Sequence, residues 1–427
     1  MRTEIKLNSI IFFVLLILCF LFSSHAGADE LHYNNMLIGD RATGLGGAYT
    51  AISDDPSGLY YNPAGIVYST GSKLSASMNA YYTENKRYDN VSGNYDWERE
   101  SSALLPNFFG VTQPFSKGKA GFSYAVTDAI IEDQGQTFHN VLVPLVPSDK
   151  RIVNFNNEDH TYNFGPSYAM EISEYCALGS TLYLHYRKNR MIFNDFYEWR
   201  NSATNTYKSY KWDNIYERKE EIGIKPILGL MFSPKSAKYS LGVAFSKTLI
   251  MSSNREYQRT QEILTDDPNS ISSITFPDPL QAESSKKREY PYVITFGGAF
   301  FPSNSLLFSG DITYYTKTDD DLAGTGEKDS LINVSLGTEY YFKRTFALRA
   351  GLFTNFANTP KIVRNKTNQE EHVDIYGGCL SLSYFTRYSS LTIGVQYRYG
   401  MGDVQVTRIH DVTVSSLMGY MGSSYSF

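Results

Sequence analysis

Three basic residues lie where they could bind an anionic ligand. Lys225, Arg349 and Arg398 each fall on the polar side of a segment in which apolar and polar residues alternate. Arginine in particular can hold a carboxylate through two parallel hydrogen bonds. The three are therefore candidate ligand-binding residues. The alternative is that they pair with acidic residues, of which the candidates are Glu171, Glu221, Asp311, Glu339, Asp54 and Asp55.

The sequence gives little support for a metal site or a catalytic site. None of the seven histidines shows a spacing such as His-x-x-x-His that would hold zinc. The run Asp319-Asp320-Asp321 lacks the spacing of a calcium loop. His185 and Ser180 fall on opposite faces of one alternating segment, so they cannot act as a nucleophile and its base. We expect no metal, no cofactor and no enzyme activity.

The composition of the chain narrows its class. The 427 residues are 42% hydrophobic and 15% aromatic, with a formal net charge of −5. This acidic balance argues against nucleic acid as a partner. After the first two dozen residues no run of roughly 18 apolar residues occurs, which excludes a polytopic helical membrane protein. The low charged fraction and the many tyrosines indicate an all-β protein.

The N-terminus has the features of an export signal. Arg2 and Lys6 precede an apolar run over 10–22, and Ala26-Gly27-Ala28 follows. This pattern predicts a secretory signal peptide, residues 1–28, cleaved after Ala28. A single anchor helix is the alternative, although the run is shorter than the ~20 residues that a span needs.

Two cysteines remain in the mature chain, Cys176 and Cys379. Two cysteines in so long an exported chain do not make a disulfide framework. They are interpreted as two small apolar side chains within strands, and one bond between them stays the alternative.

Almost everything after residue 72 alternates with a period of two, the period of a β-strand with unlike faces. In 389–401, for example, Leu391, Ile393 and Val395 interleave with Thr392 and Gly394. Charged residues stand only on the small, polar face of these segments, and Tyr or Phe closes many ends of the apolar face. An apolar outer face with aromatic girdles around a polar lumen is typical of a transmembrane barrel. A soluble sandwich shows the reverse.

Connector lengths favour the same architecture, because short and long connectors alternate strictly. An even strand number with tight turns at one end is typical of bacterial up-and-down barrels. We expect a fourteen-stranded antiparallel barrel over 72–427. The predicted strands are 72–83, 103–115, 117–128, 159–173, 176–188, 219–233, 237–250, 287–301, 305–317, 329–343, 345–356, 372–386, 389–401 and 410–427. The predicted long loops are 84–102, 129–158, 189–218, 251–286, 318–328, 357–371 and 402–409.

The C-terminus, Tyr425-Ser426-Phe427, resembles the signal that the outer-membrane assembly machinery reads. Together with the export signal, it predicts a monomer in the bacterial outer membrane, surrounded by outer-membrane lipid. Phe427 is the expected contact with that machinery.

In residues 29–71, apolar and polar residues do not alternate. They hold a glycine-rich run at 39–49, the step Ser53-Asp54-Asp55-Pro56 and the tripeptide Asn62-Pro63-Ala64. No strand precedes the glycines and no Gly-Lys-Ser/Thr follows, so a phosphate loop is not predicted.

These motifs resemble the start of the FadL-type long-chain fatty acid transporter family, which includes aromatic-hydrocarbon uptake barrels. The resemblance implies that residues 29–71 form a hatch filling the lumen, with Asn62, Pro63 and Ala64 as its motif and Asp54 and Asp55 as gating residues. It also implies that outer loops capture a hydrophobic ligand such as a fatty acid. The ligand would then pass to an inner pocket and leave sideways through a gap in the wall into the bilayer.

Two outer connectors are candidate capture sites. An apolar run in an exposed loop has no ordinary structural reason and could form a landing groove. The alternative is that these loops pack on each other to cap the barrel. The candidate residues are Val141, Leu142, Val143, Leu145, Phe193, Phe196, Tyr197 and Trp199.

The function predicted from these features is passive uptake of hydrophobic compounds through a plugged barrel. A barrel that serves as scaffold or shuttle in protein secretion is the alternative, since the long loops at 189–218 and 251–286 are polar and charged in parts. An open diffusion porin is disfavoured by the plug.

Overall fold

The computed structural model describes residues 31–92, 95–141, 148–200, 208–234, 237–265, 273–320, 326–343, 345–367, 369–405 and 408–427. They form a closed antiparallel β-barrel of fourteen strands, as predicted. Each wall strand pairs with the next along the chain, and the last pairs with the first, which closes the barrel. Closure leaves no unpaired edge in the lipid, where unsatisfied backbone groups are costly.

The wall strands have the following bounds: β1 Lys73–Ser92, β2 Tyr95–Phe115, β3 Gly118–Val141, β4 Ser148–Glu171, β5 Cys176–Arg200, β6 Lys208–Phe232, β7 Tyr239–Lys247, β8 Leu249–Thr265, β10 Leu280–Ser284, β11 Tyr292–Ser303, β12 Leu306–Tyr315, β15 Leu331–Phe342, β16 Phe346–Asn355, β17 His372–Phe385, β18 Ser389–Gln405 and β19 Ile409–Ser426. β7 with β8 makes one wall strand, and β10 with β11 makes another. Three short strands lie between them: β9 Ser273–Thr275, β13 Thr318–Asp320 and β14 Gly326–Lys328.

Four of the predicted long loops are wrong. Strands β1 to β6 are 20 to 25 residues long, whereas about 9–11 residues cross a bilayer. Most of 84–102, 129–158 and 189–218, and much of 251–286, is therefore paired strand that continues the wall outward. The sequence did not reveal these extensions because beyond the membrane neither face needs to be apolar, so the alternation fades.

The predicted division of faces is confirmed for most of the wall, although Lys188 at the end of the predicted strand 176–188 lies on the outer face. Leu182, Leu352 and Leu391 on the outer face are 50%, 65% and 54% exposed, whereas the charged Glu339 and Arg349 on the inner face are 1% and 2% exposed. An apolar outer belt around a polar, filled lumen is the arrangement of a transmembrane barrel.

Val126 is an exception to the predicted faces. The pattern predicts an outward side chain in contact with lipid, but Val126 is buried in a cluster with Met36 and Ala129. A register shift between Val126 and Asp128 in the β3–β4 pairing inserts one extra residue. Such a bulge disturbs the alternation of side chains around it.

The ladder between β2 and β3 is interrupted within the wall. The β2–β3 ladder runs from Phe115–Gly118 to Phe108–Ala125, and beyond it the only pair recorded among the described residues is Ser101 with Glu132. Residues 102–107 and 126–131 therefore do not pair with each other. Pro106 cannot donate to the ladder, and the bulge lies directly opposite. We call residues 102–107 and 126–131 the wall break.

The N-terminal segment, residues 31–71, carries three short helices: α1 Asp40–Gly44, α2 Gly58–Tyr61 and a 3-10 helix at Pro63–Tyr68. No helix in the described part of the chain is long and apolar enough to span a membrane. The first barrel strand begins at Lys73, directly after this segment.

Candidate functional site

The N-terminal segment packs against inward faces from several sides of the barrel. Its 3-10 helix contacts β4, β5 and β6, whereas α1 contacts β16 to β19. Several of its apolar side chains are fully buried, as at Ile38, Leu45 and Ile66. The segment therefore packs against several strands of the barrel rather than lying outside it.

The predicted hatch motif is anchored both within this segment and to the wall. The amide nitrogen of Asn62 donates to the carbonyl oxygens of Thr50 at 2.8 Å and Leu230 at 3.1 Å. Its side-chain oxygen accepts the N–H of Ala64 at 3.2 Å. Pro63 occupies the first helical position, where its missing N–H costs nothing. Asn62 thus starts the 3-10 helix and ties it to both the segment and the wall.

A pair of glycines makes room for this motif. Gly179 and Gly229 lie opposite each other on β5 and β6. A Cβ at Gly229 would come within 2.0 Å of the Asn62 side-chain oxygen, and one at Gly179 within 2.4 Å of the Ala64 nitrogen. Only glycine permits so close an approach. Two further cross-strand pairs, Gly242–Gly297 and Gly337–Gly351, also lie against the backbone of this segment.

Replacing Asn62 with alanine should loosen the N-terminal segment. The change leaves the carbonyl of Thr50 and the N–H of Ala64 buried without a partner, which costs about 2 kcal/mol. Hydrogen exchange at the Ala64 amide should rise about 30-fold, the equivalent of that energy. The exposed Asn254→Ala is the matched control and should leave this exchange unchanged. Unaltered protection at Ala64 in Asn62→Ala would contradict the anchoring role.

Arg41 and Arg349 share one buried carboxylate. Arg41 donates to the two carboxylate oxygens of Glu339 at 2.9 and 2.8 Å, and Arg349 donates to the same carboxylate at 2.5 Å. Arg41 also pairs with Asp54 at 2.5 Å. Arg349 therefore pairs with an acidic residue, Glu339, which is the alternative to ligand binding that the sequence left open. The sequence does not single out Arg41, whose only signal is its position as a lone arginine within the glycine-rich run.

Arg398, Asp55 and Asp311 also have structural partners. Arg398 pairs with Glu84 at 2.8 Å and donates to the carbonyl of Asn35 at 2.9 Å. Asp55 accepts the N–H of Ser57 at 2.8 Å and so caps the turn before α2. Asp311 accepts the backbone N–H groups of residues 49 and 50 at 3.0 and 2.9 Å. The contacts of Arg398 and Asp311 fasten the segment to the wall.

A cavity of about 200 Å³ lies between the N-terminal segment and the inner wall. We call it the lumenal cavity. Of the predicted ligand-binding residues in the described part of the chain, only Lys225 lines it. The lining residues used below are Tyr60, Tyr61, Thr127, Asp128, Asn163, His185, Lys225 and Tyr290.

The cavity is lined by tyrosines and by many polar groups, among them the cations Arg187, Lys225 and Arg288. The Lys225 ammonium lies 4.7 Å from the centre of the Tyr60 ring. The His185 and Tyr290 rings meet edge to face at 5.5 Å, and the Tyr290 hydroxyl donates to Glu221 at 2.9 Å. Burial raises the pKa of Tyr61 well above its ordinary value, so its hydroxyl stays neutral. The cavity thus offers flat apolar ring faces beside a cation.

The cavity reaches the wall break. Thr127 and Asp128 belong to both, because they line the cavity and lie in the unpaired stretch of β3. Asn35 of the N-terminal segment donates to Asp128 at 3.3 Å, at the same place. A molecule in the cavity therefore lies next to an interruption of the barrel wall.

The predicted capture residues lie on the outer extensions of the strands. Val141 is fully buried in a cluster with Phe138 and Val153, against which Phe193 and Trp97 pack. The structure thus brings Val141 and Phe193 together, although neither lines the lumenal cavity. We call these five side chains the outer cluster.

The other predicted capture residues are dispersed. Phe196 lies 5.6 Å from the ring of Tyr210, Tyr197 lies under Arg151 with 4.8 Å from guanidinium to ring centre, and Trp199 is partly buried. Leu142, Val143 and Leu145 lie outside the described residues.

Metal ligands are not clustered: within the described ranges no three His, Cys, Asp or Glu side chains could hold an ion together. Cys176 and Cys379 are both free thiols, and Cys379 packs against Leu37 and Phe353. Of the two alternatives for the cysteines, the structure shows the unbonded one.

Comparison with known proteins shows that solved structures share the fold of this chain. No protein-family model matches the sequence, and no curated protein is similar to it. Among solved structures, the P. putida toluene transporter TodX is similar with a TM-score of 0.63 and 15% identity, covering 92% of this chain and 99% of that one. A Pseudomonas aeruginosa FadL homologue is similar with a TM-score of 0.60 and 11% identity, covering 93% of this chain and 100% of that one. The Ralstonia pickettii toluene transporter TbuX is similar with a TM-score of 0.56 and 11% identity, covering 92% of this chain and 99% of that one. Over nine-tenths of its length, the chain therefore has the fold of the FadL-type transport proteins.

Proposed function

We propose that this protein is a bacterial outer-membrane channel for the passive uptake of hydrophobic compounds. The observation that carries the proposal is the continuity between the lumenal cavity and the wall break through Thr127 and Asp128. The solved structures of similar fold include a toluene transporter and a monoaromatic hydrocarbon channel. The proposal extends the hydrophobic ligand class of those proteins to this chain.

The proposed route has three steps. An apolar molecule is first captured near the outer cluster, then enters the lumenal cavity, and finally leaves through the wall break into the bilayer. Apolar surface removed from water stabilises the captured molecule by roughly 25 cal/mol per Å². Flow down a concentration gradient needs no other energy source. The exit is sideways because, in this proposal, the N-terminal segment blocks the axial path.

In this proposal the N-terminal segment acts as the hatch, with the Asn62–Ala64 motif holding it closed. Deleting residues 62–64 should alter uptake while the barrel still assembles, because the strands pair with one another independently of the motif. Uptake of radiolabelled toluene is the readout, and heat-modifiable migration in detergent gels reports the folded barrel. An unchanged uptake rate in a folded deletion variant would rule out the gating role.

Toluene uptake by cells with and without the protein tests the function itself. We expect expression to increase the initial uptake rate and to leave permeation of small hydrophilic solutes unchanged, because the lumen is plugged. A protein that raised hydrophilic permeation instead would be an open porin. Stoichiometric co-purification of a protein partner, without any effect on uptake, would favour the secretion alternative.

A further inference from the structure

The lumenal cavity contains polar groups that a pure hydrocarbon would leave unsatisfied. Lys225 lies on β6 with its ammonium over the Tyr60 ring, and it donates a long hydrogen bond of 3.5 Å to the Tyr60 hydroxyl. Within the described ranges, no acidic side chain forms an ion pair with Lys225. A hydrocarbon filling the cavity would displace water from this ammonium and return no hydrogen bond, which is unfavourable.

His185 provides a second polar group with a defined role. Its side chain is 2% exposed, and its Nδ1 lies 3.0 Å from the side-chain oxygen of Asn163. In the structure the amide nitrogen of Asn163 donates to Thr127 at 3.1 Å, and the amide oxygen faces His185. A proton on Nδ1 completes the hydrogen bond to that oxygen and leaves Nε2 as an acceptor. Nε2 is buried without a partner in a residue that lines the cavity.

Tyrosine rings border these two polar groups, and the space is small. The ring of Tyr290 lies 5.5 Å from His185, and the rings of Tyr60 and Tyr61 meet edge to face at 5.3 Å. The cavity holds about 200 Å³, below the roughly 300–1,000 Å³ of pockets for drug-sized ligands. A single-ring molecule fits this description better than a long acyl chain does.

We propose that the lumenal cavity selects small hydroxylated aromatic molecules of the phenol class over hydrocarbons of the same size. The ligand hydroxyl donates to Nε2 of His185 and accepts from the ammonium of Lys225, while the ring lies against Tyr60 and Tyr290. The inference rests on the proposed function, since it names the substrate class for the same channel.

A carboxylate ligand fits the same groups less well. It has no proton to donate to His185, and the carboxylates of Asp128 and Asp311 line the same cavity. Arg187 and Arg288 also line it, but Arg187 is paired with Asp159 and Arg288 lies over the Tyr290 ring. A charged molecule would also leave into hydrocarbon at a high cost. A phenol, whose pKa resembles the ordinary value of about 10 for tyrosine, stays neutral at pH 7 and avoids that cost.

Phenol and toluene are the matched probes, because they differ only by a hydroxyl in place of a methyl group. Their dissociation constants are measured by equilibrium dialysis with the purified full-length barrel in detergent, with protein-free micelles as the blank. We expect phenol to bind at least about tenfold more tightly than toluene, since a site built for a hydroxyl rejects the analogue that lacks it.

The variants Lys225→Met and His185→Leu each remove one hydrogen-bonding partner. Each should weaken phenol binding about tenfold and leave toluene binding within about twofold. Lys188→Met is the matched control, because Lys188 lies on the same strand as His185 but on the exposed outer face. If His185→Leu does not fold, Lys225→Met alone tests the inference. Lys225 is only partly buried, so its replacement should leave the fold intact.

Equal affinity for phenol and toluene in the wild type would overturn the inference, and so would an unchanged affinity ratio in Lys225→Met. Toluene uptake by cells separates this failure from failure of the proposed function. Uptake without any phenol preference in the binding assay removes only the substrate class. A phenol preference that depends on Lys225 supports the inference even where cells show no toluene uptake, in which case the transport proposal fails.

Discussion

Replacing Glu339 with alanine should destabilise the protein by about 3–5 kcal/mol, because one partner of a buried ion pair is removed while its charged partners remain. Glu339 is 1% exposed and is shared by Arg41 of the N-terminal segment and Arg349 of β16. The change would leave two guanidinium groups close together without that carboxylate. Unfolding by guanidinium chloride in detergent micelles measures the loss.

An exposed ion pair provides the control. Arg87 pairs with Asp96 near the outer end of β1, where the Arg87 side chain is 52% exposed. Exposed pairs contribute about 0–1 kcal/mol, so Asp96→Ala should hardly change the unfolding midpoint. Equal effects of the two substitutions would show that Glu339 does not join the N-terminal segment to the wall.

Filling the wall break should abolish most of the uptake. Thr127 lies at the bulge, between the lumenal cavity and the unpaired stretch of β3. The bulky Thr127→Trp should obstruct the proposed exit and lower the toluene uptake rate at least about tenfold, which corresponds to ~1.4 kcal/mol of added barrier.

The matched control adds the same bulk elsewhere. Leu348 on β16 is 49% exposed on the outer face, where the ladders to both neighbouring strands are continuous. Leu348→Trp should leave uptake unchanged, since tryptophan is tolerated on a lipid-facing surface. An uptake rate in folded Thr127→Trp that equals the rate of Leu348→Trp would exclude the wall break as the exit.

The barrel could be predicted from the sequence because its physical cause is local. Alternation within a dozen residues, as at Leu391, Ile393 and Val395, shows which face meets lipid, and the structure confirms that division. The outer halves of β1 to β6 could not be predicted in the same way. There both faces meet water or other protein, so the sequence carries no strict period for the strand.

The candidate site could be predicted only in part. Asn62 belongs to a recognisable motif. Its contact with the wall at Gly179 and Gly229, however, depends on the register of two strands, which the sequence does not display. Lys225 and His185 come from neighbouring strands and point into one cavity only because of the pairing between β5 and β6. The alternating pattern placed each of them on the inner face without showing that they meet.

The wall break shows the same limitation. Pro106 marks a weak place in β2, since proline lacks the N–H that a ladder needs. The bulge at Val126 in β3 has no comparable sequence signal. Only the structure shows that the two irregularities face each other and that Thr127 connects them to the lumenal cavity.

The most direct test of the account is photo-labelling of the protein in native outer membranes with a toluene-sized aryl diazirine. The central claim is that a small apolar molecule reaches the membrane from the lumenal cavity through the wall break. The account predicts adducts on the inward-facing Tyr60, Tyr290 and Thr127 in addition to the lipid-facing surface, and excess toluene should remove those inward adducts. Adducts confined to the lipid-facing surface, with none in the cavity or at the wall break, would contradict it.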